Sequence, residues 1–357
     1  MRRPERSMCI DCQDTPLGLS TKRIYKVALV GLGNKGYLYE KDDKMVASFK
    51  YSTHCQAIDA HPRFSLTAGC DIDPQKVEQA RFDYHFTFSG CDYRKLFNDV
   101  DIDLAVVATS TGTHPDIIRY ALDAGIRHIL CEKPVSTDLA STRDVFDIVD
   151  RCRGDLFVNY WRFFDRSHQW VKRVIAEKTL GDVLKVCCYY GKGVKNTASH
   201  LIHLFLEYFG EIGWIKKLTG ASSHASGEDP DIDFVFGTRS GIVGSVLHIP
   251  NDDYRIFEID ILCSRGRIRL ADGGRGIELF GRESNSTLTN EYQLSRLGKS
   301  LSPTAGEAMF DLYSFIANVL DSGMRFVDYR ALKTAELLDH LIRERESTSK
   351  LDTSKWN

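Results

Sequence analysis

The chain lacks the long apolar run of a membrane-spanning helix, and it has no surplus of either charge. Its most apolar stretches, such as residues 104–108, are strand-sized, whereas a spanning helix takes about 20 apolar residues. Lys and Arg number 47 and Asp and Glu number 49, which gives a net charge of −2. This balance supplies no general electrostatic reason to bind nucleic acid or an anionic membrane. We therefore expect neither partner.

The cysteine pattern lacks the second pair that a zinc site would need. Cys9 and Cys12 form one CxxC motif, but no other pair stands at zinc-ligand spacing among the ten cysteines. Several of the others lie in apolar, strand-like runs, where a free thiol behaves as a small hydrophobe. The basic N-terminal segment has no apolar stretch typical of a secretory signal. Together these features predict a cytoplasmic protein without a structural metal.

Length and hydrophobic periodicity predict two domains. The 357 residues exceed one ordinary domain of about 100–200 residues. From residue 24 to 161, apolar strands alternate with amphipathic helices, which is typical of βαβ units and a parallel sheet. Beyond this point a succession of strand patterns predicts a large, mostly antiparallel open sheet in an α+β domain. The predicted division is an extension at 1–22, a doubly wound Rossmann domain at 23–160, an α+β domain at 161–345 and a tail at 346–357.

A glycine motif follows the first predicted strand. In the run Gly31-Leu32-Gly33-Asn34-Lys35-Gly36 the first glycine permits a tight turn and the second lets a pyrophosphate approach the backbone. The third permits close helix packing, and a helix starting there would offer its amides to the phosphates. Asp71 ends the second strand, where its carboxylate can accept hydrogen bonds from ribose hydroxyls. This arrangement predicts a dinucleotide site and favours NAD over NADP.

The spacing within this motif indicates an insertion. The acidic residue normally follows the glycines by about 20 residues, whereas Asp71 follows Gly36 by 71 − 36 = 35. We assign the extra residues to an insertion at about 37–52. It is either a lid or substrate-contacting loop, or a surface decoration, and both interpretations remain open.

A predicted helix at 196–209 carries a polar stripe beside its apolar one. Asn196, His200, His203 and Glu207 recur at helical spacing. A polar stripe that faces a cleft is a candidate site. A metal site built on the two histidines and the glutamate lacks a recognised spacing, so no metal is predicted, and we expect His203 to be structural.

The motifs at 108–114 (ATSTGTH) and 131–139 (CEKPVSTDL) are more specific. Together with GLGNKG, CDIDP and NYWRFFD they resemble the Gfo/Idh/MocA family of nicotinamide-dependent sugar and cyclitol oxidoreductases. The resemblance implies a Rossmann domain and a C-terminal domain whose open sheet serves as an oligomer interface, in a homodimer or homotetramer.

The resemblance also implies roles for individual residues. Lys133 would be the catalytic lysine, because a partly desolvated lysine has a lowered pKa and can move the proton of the reacting oxygen. His200 would be the acid/base. The family has an Asp four residues before this histidine, whereas this chain has Asn196, which can orient His200 but supplies no charge. Lys192 can bind an anionic part of the substrate or remain a solvated loop lysine.

These considerations give three predicted sets of residues. The catalytic set is Lys133, His200 and Asn196. The cofactor-binding set is Gly31, Gly33, Asn34, Lys35, Gly36, Asp71, Thr109, Thr111, His114, Glu132, Lys133 and Arg162. The substrate-binding set is Lys133, Arg162, Lys192, Asn196 and His200.

The predicted function is that of an NAD(P)-dependent oxidoreductase acting on a hydroxyl or carbonyl group of a sugar, either free or nucleotide-linked. Two alternatives remain. One is a regulator or scaffold that senses a dinucleotide or sugar without turnover. The other is sugar isomerisation or elimination with a recycled NAD.

Overall fold

The computed structural model describes residues 23–218, 229–298 and 304–344. The predicted extension at 1–22, with its Cys9-Cys12 motif, and the predicted tail at 346–357 lie outside the described residues. Within the three described ranges, no helix is long and apolar enough to cross a membrane.

The N-terminal part is built on a six-stranded parallel sheet. Its strands are β1 (Tyr25–Val30), β2 (Phe64–Cys70), β3 (Phe88–Gly90), β4 (Leu104–Val107), β5 (His128–Cys131) and β6 (Asp155–Val158). Their order is β3-β2-β1-β4-β5-β6. The order reverses at β1, which places a crevice between the carboxyl ends of β1 and β4, where such sheets bind ligands. The predicted doubly wound parallel sheet is therefore confirmed.

Helices cover both faces of this sheet. They are α1 (Asp43–Ser48), α2 (His54–Ala60), α3 (Pro74–Tyr84), α4 (Tyr93–Asp99), α5 (His114–Asp123) and α6 (Leu139–Arg151). Alternate residues of β1 enter two separate cores, Val27 and Leu29 one and Ala28 and Val30 the other. A strand buried on both faces reads as an unbroken apolar run, which explains the strong sequence signal.

The second part contains an eight-stranded sheet. Three helices, α7 (Trp161–Phe164), α8 (Arg166–Ala176) and α9 (Ser199–Tyr208), accompany the strands β7 (Val183–Tyr190), β8 (Ile212–Lys217), β9 (Phe234–Thr238), β10 (Val243–His248), β11 (Phe257–Cys263), β12 (Gly266–Ala271), β13 (Gly276–Ser284) and β14 (Tyr292–Arg296). The order is β14-β13-β12-β11-β7-β10-β9-β8. Only β7 and β10 pair in parallel among these described strands, so the predicted mostly antiparallel sheet is confirmed. The polar edge strand β14 was not predicted from the sequence.

Two helices close the described chain and join the domains. Helix α10 (Ala308–Ser322) packs into the core on one face of β1, whereas α11 (Tyr329–Arg343) contributes to the core under the second sheet. Between them, residues 326–328 cover the edge of β6. Leu156 donates to the carbonyl of Phe326 at 2.9 Å, and Asp328 donates to the carbonyl of Leu156 at 3.0 Å. These contacts tie the segment between α10 and α11 to the β6 edge of the first sheet.

The chain does not enter a helix of the sheet's outer layer directly after the glycine motif, because the segment assigned to the insertion comes first. Residues 34–37 form turns, followed by a 3-10 helix (Leu38–Lys41) and α1 before α2 begins. The first amides of α2 are already used, because His54 donates to the carbonyl of Lys35 at 2.9 Å and Cys55 to that of Gly36 at 3.1 Å. The insertion is anchored at its start by Tyr37, which is fully buried.

Candidate functional site

The glycine loop has the shape of a phosphate cradle. Gly31 has φ +100°, and a Cβ there would lie 2.5 Å from the carbonyl carbon of Ala108. A Cβ on Gly36 would lie 2.0 Å from the carbonyl oxygen of Gly31. By contrast, a Cβ on Gly33 would meet nothing within 4 Å. The first and third glycines are thus required by packing, and the second leaves open space beside the backbone, as a bound pyrophosphate requires.

Asp71 is fixed at the carboxyl end of β2. Its Oδ2 accepts from the amide of Leu32 at 2.7 Å, and its Oδ1 accepts from the amide of Asp73 at 2.9 Å. Each carboxylate oxygen keeps capacity for another hydrogen bond. The neighbouring Ile72 is 91% exposed, which is unusual for a large apolar side chain. Ile72 was not predicted as a site residue, although its position directly after Asp71 was a usable signal.

The loops after β4 and β5 are braced by His114. Its Nδ1 lies 3.0 Å from the carbonyl oxygen of Pro134, and its Nε2 lies 3.0 Å from that of Thr109. Burial lowers the pKa of His114, which favours a neutral ring that donates to one of the two carbonyls. Thr111 starts a 3-10 turn and, like Thr109, is partly exposed. His114 therefore shapes the crevice, and the two threonines can face a ligand.

Glu132 is held by partners that come from distant parts of the chain. Its Oε1 accepts from Nδ2 of Asn159 at 2.6 Å and lies 3.1 Å from Nε2 of His54. Nδ1 of His54 lies 2.8 Å from the hydroxyl of Tyr313. Burial raises the pKa of Glu132, but the His54 hydrogen bond and charge, with Lys35, outweigh burial and hold it at about 2. These partners were missed, because α2 and α10 meet the motif only in the folded chain.

Lys133 and Asn196 form the centre of the cleft. The Lys133 ammonium donates to the main-chain oxygen of Asn196 and to its Oδ1, both at 2.9 Å. Burial lowers the pKa of Lys133 to about 8, with a further lowering by Arg162 that the charge of Glu132 opposes. Two residues predicted to act together are thus in direct contact.

Asn196 belongs to a π-helical turn that precedes α9. The turn spans Val194–Ala198 and is capped by Asp229, whose carboxylate accepts from the amides of Lys195 at 2.6 Å and Asn196 at 2.9 Å. A π turn displaces backbone groups from the regular α pattern and is frequent at functional sites. Here it leaves the carbonyl of Asn196 available to Lys133. Asp229 was not predicted.

His200 lies beside this pair, and its side chain forms no hydrogen bond with the residues that the structure describes. It is 8% exposed, and its Nδ1 has no partner among the described residues. Burial lowers its pKa well below the ordinary value, and the charges of Lys133 and Arg162 lower it further. The motif predicts that Asn196 orients His200, whereas the oxygen of Asn196 accepts from Lys133 instead. Edge-to-face contact with Tyr160, at 5.3 Å between ring centroids, positions the imidazole.

Arg162 is buried at the junction of the two domains. Its guanidinium carbon lies 4.3 Å from the ring centroid of Trp161 and 3.7 Å from that of Phe257. Nη2 donates to the carbonyl of Gly273 at 2.7 Å. Burial lowers its pKa to about 9. Arg162, on α7, is thus held against the second sheet by apolar contacts and a neutral carbonyl.

Two other predicted lysines differ in their surroundings. Nζ of Lys35 lies 5.7 Å from the ring centroid of Tyr39, and burial lowers its pKa. Lys192 is exposed, with a left-handed backbone at φ 66°. Its ammonium forms no hydrogen bond or ion pair with the residues that the structure describes. The structure therefore brings Lys35, but not Lys192, into the electrostatic environment of Lys133.

The rest of the polar stripe on α9 is structural. Nε2 of His203 lies 3.2 Å from Oδ2 of Asp328. Glu207 pairs with Lys172 at 2.5 Å and with Arg330 at 2.8 Å. No group of three or more His, Cys, Asp or Glu side chains in the described ranges is arranged to hold a metal ion.

Comparison with known proteins finds a family match for the N-terminal domain. Residues 25–160 match the Gfo/Idh/MocA family, described as an oxidoreductase family with an NAD-binding Rossmann fold. Inositol 2-dehydrogenase of Rhizobium meliloti is 30% identical over 133 residues, or 36% of this chain and 38% of that protein. An uncharacterised oxidoreductase of Bacillus subtilis, YrbE, is 30% identical over 128 residues, or 36% of this chain and 37% of that protein. The sequence match thus covers less than two fifths of these relatives.

Solved structures resemble the chain over both domains. Levoglucosan dehydrogenase, in complex with NADH and levoglucosan, has a TM-score of 0.72 at 16% identity, over 90% of this chain and 96% of that one. A 3-ketoreductase from Actinomadura kijaniata, in complex with NADP, has a TM-score of 0.67 at 14% identity, over 90% and 97%. At such identities the likeness establishes the fold. The sequence match at 25–160 relates the N-terminal domain to the Gfo/Idh/MocA family of oxidoreductases.

Proposed function

We propose that the protein is an NAD(P)-dependent oxidoreductase that interconverts a hydroxyl and a carbonyl group of a sugar. The observation that carries the proposal is the buried Lys133 ammonium, bonded to Asn196 in the cleft beyond the glycine loop. A nicotinamide cofactor, when bound, supplies or accepts the hydride. The task left to the protein is to move one proton at the reacting oxygen and to hold the sugar in place.

Lys133 has the properties required for that proton transfer. Its pKa of about 8 lies near neutral pH, where a general acid/base is most efficient. In carbonyl reduction the ammonium donates its proton to the developing alkoxide. In hydroxyl oxidation the neutral amine accepts the hydroxyl proton. Asn196 positions Nζ through two hydrogen bonds, and burial keeps the neighbouring His200 neutral.

NAD is the narrower proposal for the cofactor. The carboxylate of Asp71 is fixed against the glycine loop by the Leu32 amide, where a 2′-phosphate would meet a like charge. Two like charges about 4 Å apart repel by about 1–4 kcal/mol at the effective dielectric constants of a protein surface. We therefore propose a preference for NAD of about 5- to 1,000-fold.

We propose a sugar as the substrate, since sugar and cyclitol dehydrogenases are among the chain's relatives and structural neighbours. The narrower form of this proposal is a nucleotide-linked sugar. We also propose a cytoplasmic homodimer or homotetramer that pairs through the open face of the second sheet. Trp214, Tyr189 and Leu262 are exposed on strands of that sheet by 42%, 37% and 36%. The described cysteines are all free thiols, which supports a reducing compartment.

Nicotinamide absorbance during incubation with sugars, cyclitols and nucleotide sugars tests the proposal. Substrate-dependent change in absorbance that Lys133→Met abolishes is the expected result. Cofactor binding without turnover of any compound would favour a sensing role, and product without net change in absorbance would favour isomerisation or elimination. A Lys133→Met variant with unaltered turnover would contradict the assignment of the catalytic lysine.

A further inference from the structure

Three buried or half-buried cations surround the proposed reacting position without a carboxylate partner. Arg162 is 6% exposed, and Lys35 and Lys133 are half-buried. Among the described residues, their direct contacts are neutral: the carbonyl of Gly273 for Arg162, the oxygens of Asn196 for Lys133 and an aromatic ring for Lys35. Buried charges are normally paired or ligand-bound, because leaving water is costly.

The carboxylates nearest to these cations, Glu132 and Asp229, make their hydrogen bonds to other groups. Glu132 is bonded by Asn159 and faces His54. Asp229 caps the π turn through two main-chain amides. Neither makes an ion pair with Lys35, Lys133 or Arg162 in the part of the chain that the structure describes. Glu132 and Asp229 therefore oppose the positive charge of Lys133 only at a distance, and the three cations outnumber these two carboxylates.

An asparagine at position 196 supplies no negative charge to offset the three cations, and it adds a hydrogen-bond donor to the cleft. Its Oδ1 accepts from Lys133, which leaves Nδ2 as a donor without a partner among the described residues. An aspartate would present only acceptors at this position. Lys133, Asn196 and Arg162 are thus all donors, which suits a ligand rich in acceptor oxygens.

The same excess of cations over carboxylates affects His200. Its pKa is lowered by burial and then by Lys133, Arg162 and Lys35, and its Nδ1 lacks a partner in the described ranges. An imidazolium would therefore be strongly disfavoured in the cleft as it stands. A negative charge brought by the ligand would relieve the repulsion among all four groups at once.

From this arrangement we infer that the sugar substrate itself carries an anionic group, a carboxylate or a phosphate, that is bound by Arg162 and Asn196 beside Lys133. The inference rests on the proposed function and narrows its substrate class to acidic sugars. The phosphates of the cofactor account for Lys35, which belongs to the glycine loop. They do not account for Lys133, Arg162 and Asn196, which come from the loop after β5, from α7 and from the π turn.

Matched pairs of neutral and acidic sugars provide the test. The NADH complex is titrated calorimetrically with D-glucose and D-glucuronate, and with D-galactose and D-galacturonate. Glucose 6-phosphate separates a phosphate from a carboxylate, and UDP-glucose against UDP-glucuronate separates a diphosphate from an acidic sugar ring. Turnover of each compound is followed by nicotinamide absorbance in both directions, with NAD for oxidation and NADH for reduction of the corresponding keto sugars. We expect the acidic member of a pair to bind about 10- to 100-fold more tightly than the neutral one, the range that one charge pair at partial burial provides.

The variant Asn196→Asp sharpens the test, because it adds one negative charge and removes the free donor with almost no change in volume. We expect its preference for the acidic sugars to fall at least about 10-fold while cofactor affinity is retained. Lys95→Gln, which removes an exposed lysine on α4 outside all the predicted sets, is the control and should retain the preference. Arg162→Gln provides a second measurement, with a thermal unfolding curve to verify its folding.

The outcomes separate the two proposals. Turnover of neutral and acidic sugars with equal efficiency would leave the oxidoreductase function standing and overturn the anionic substrate. An unchanged acid preference in Asn196→Asp would overturn it as well. Equal calorimetric affinity within every pair, without turnover of any compound, would overturn both proposals.

Discussion

The two ends of the polar stripe on α9 differ in how their charges are neutralised. At the far end, His203 faces Asp328, and Glu207 is paired with Lys172 and Arg330. At the near end, no described carboxylate pairs with His200, and Lys133 bonds only to neutral oxygens of Asn196 among the described residues. Both ends are buried within one helix and its preceding turn, so burial alone does not distinguish them.

The difference indicates which end serves stability and which serves chemistry. A buried charge with a partner and hydrogen bonds is tolerated in the folded protein, whereas an unpaired one costs free energy. Groups whose pKa values are shifted by burial, next to a cleft, are candidates for catalysis. Sequence periodicity assigns the four residues to one stripe, and their partners divide it into a binding end and a structural end.

Replacing Lys133 or Lys172 with methionine should have opposite effects on turnover and on stability. The loss of turnover in the first variant is the largest effect we expect. Lys133→Met should reduce turnover by about 10²- to 10⁴-fold, the usual contribution of a general acid/base. Its melting temperature should not fall, because a buried unpaired charge is removed. Lys172→Met, the matched control, should retain turnover and lose stability. Steady-state kinetics and thermal unfolding of both variants measure these effects, and equal loss of turnover in the two would refute the distinction.

Removing a carboxylate from the structural end should cost stability. Asp328→Ala leaves His203 and part of the Arg330 contact without a buried partner, and breaking such a pair costs about 3–5 kcal/mol in the free energy of unfolding. Asn196→Ala at the near end should cost about 1 kcal/mol, the net value of an ordinary hydrogen bond. Urea unfolding monitored by circular dichroism gives both values. An Asp328→Ala cost no larger than that of Asn196→Ala would contradict the assignment.

Replacing Asn196 with aspartate should give Lys133 a carboxylate partner, as Lys172 has in Glu207 at the far end. In Asn196→Asp the new charge lies in contact with the Lys133 ammonium, so it should raise the pKa of Lys133 from about 8 by about 1–3 units. The protonated form is needed for carbonyl reduction. The wild-type rate should therefore fall as the pH rises through about 8, and the rate of the variant should fall at a higher pH. A pH–rate profile that does not move would argue against Lys133 as the titrating group.

Low pH should reduce the contribution of Asp328 to the stability of the fold, and this is the smallest of the four expected effects. Burial raises the pKa of Asp328, but the opposing His203 and Arg330 interactions outweigh burial and lower it below its ordinary value of 3.8. A carboxylate with a depressed folded-state pKa stabilises fully above its unfolded value, and this contribution is lost as the pH falls through the folded value. The stability difference between the wild type and Asp328→Asn should narrow below pH 3.8. A constant difference would mean that Asp328 does not titrate with folding.

The sequence predicts the two sheets well, because strands buried on both faces, such as β1, read as unbroken apolar runs. The short motifs place Lys133 and Asn196 in one catalytic set, although the predicted partner of Asn196 was His200 and its oxygen accepts from Lys133 instead. The polar edge strand β14 was missed, because an exposed strand lacks the apolar alternation that identifies the others.

The errors arise where partners are distant in the sequence. The helix expected after Gly36 is displaced to α2, and the insertion fills the space between them. His54 and Tyr313 reach Glu132 from α2 and α10, and Asp229 caps the π turn from the segment before β9. No local pattern marks these residues. The orientation of Asn196 toward Lys133 likewise depends on a π turn that periodicity reads as regular helix.

The pKa of Lys133 in the folded protein tests the central claim most directly, because it requires no knowledge of the substrate. Lysines dimethylated with a ¹³C label are titrated by NMR, and the Lys133 signal is identified by its absence in Lys133→Met. The account predicts a midpoint at about 8, caused chiefly by burial, and an upward shift in Asn196→Asp. A midpoint near the ordinary value of 10.5 in the wild type would contradict it.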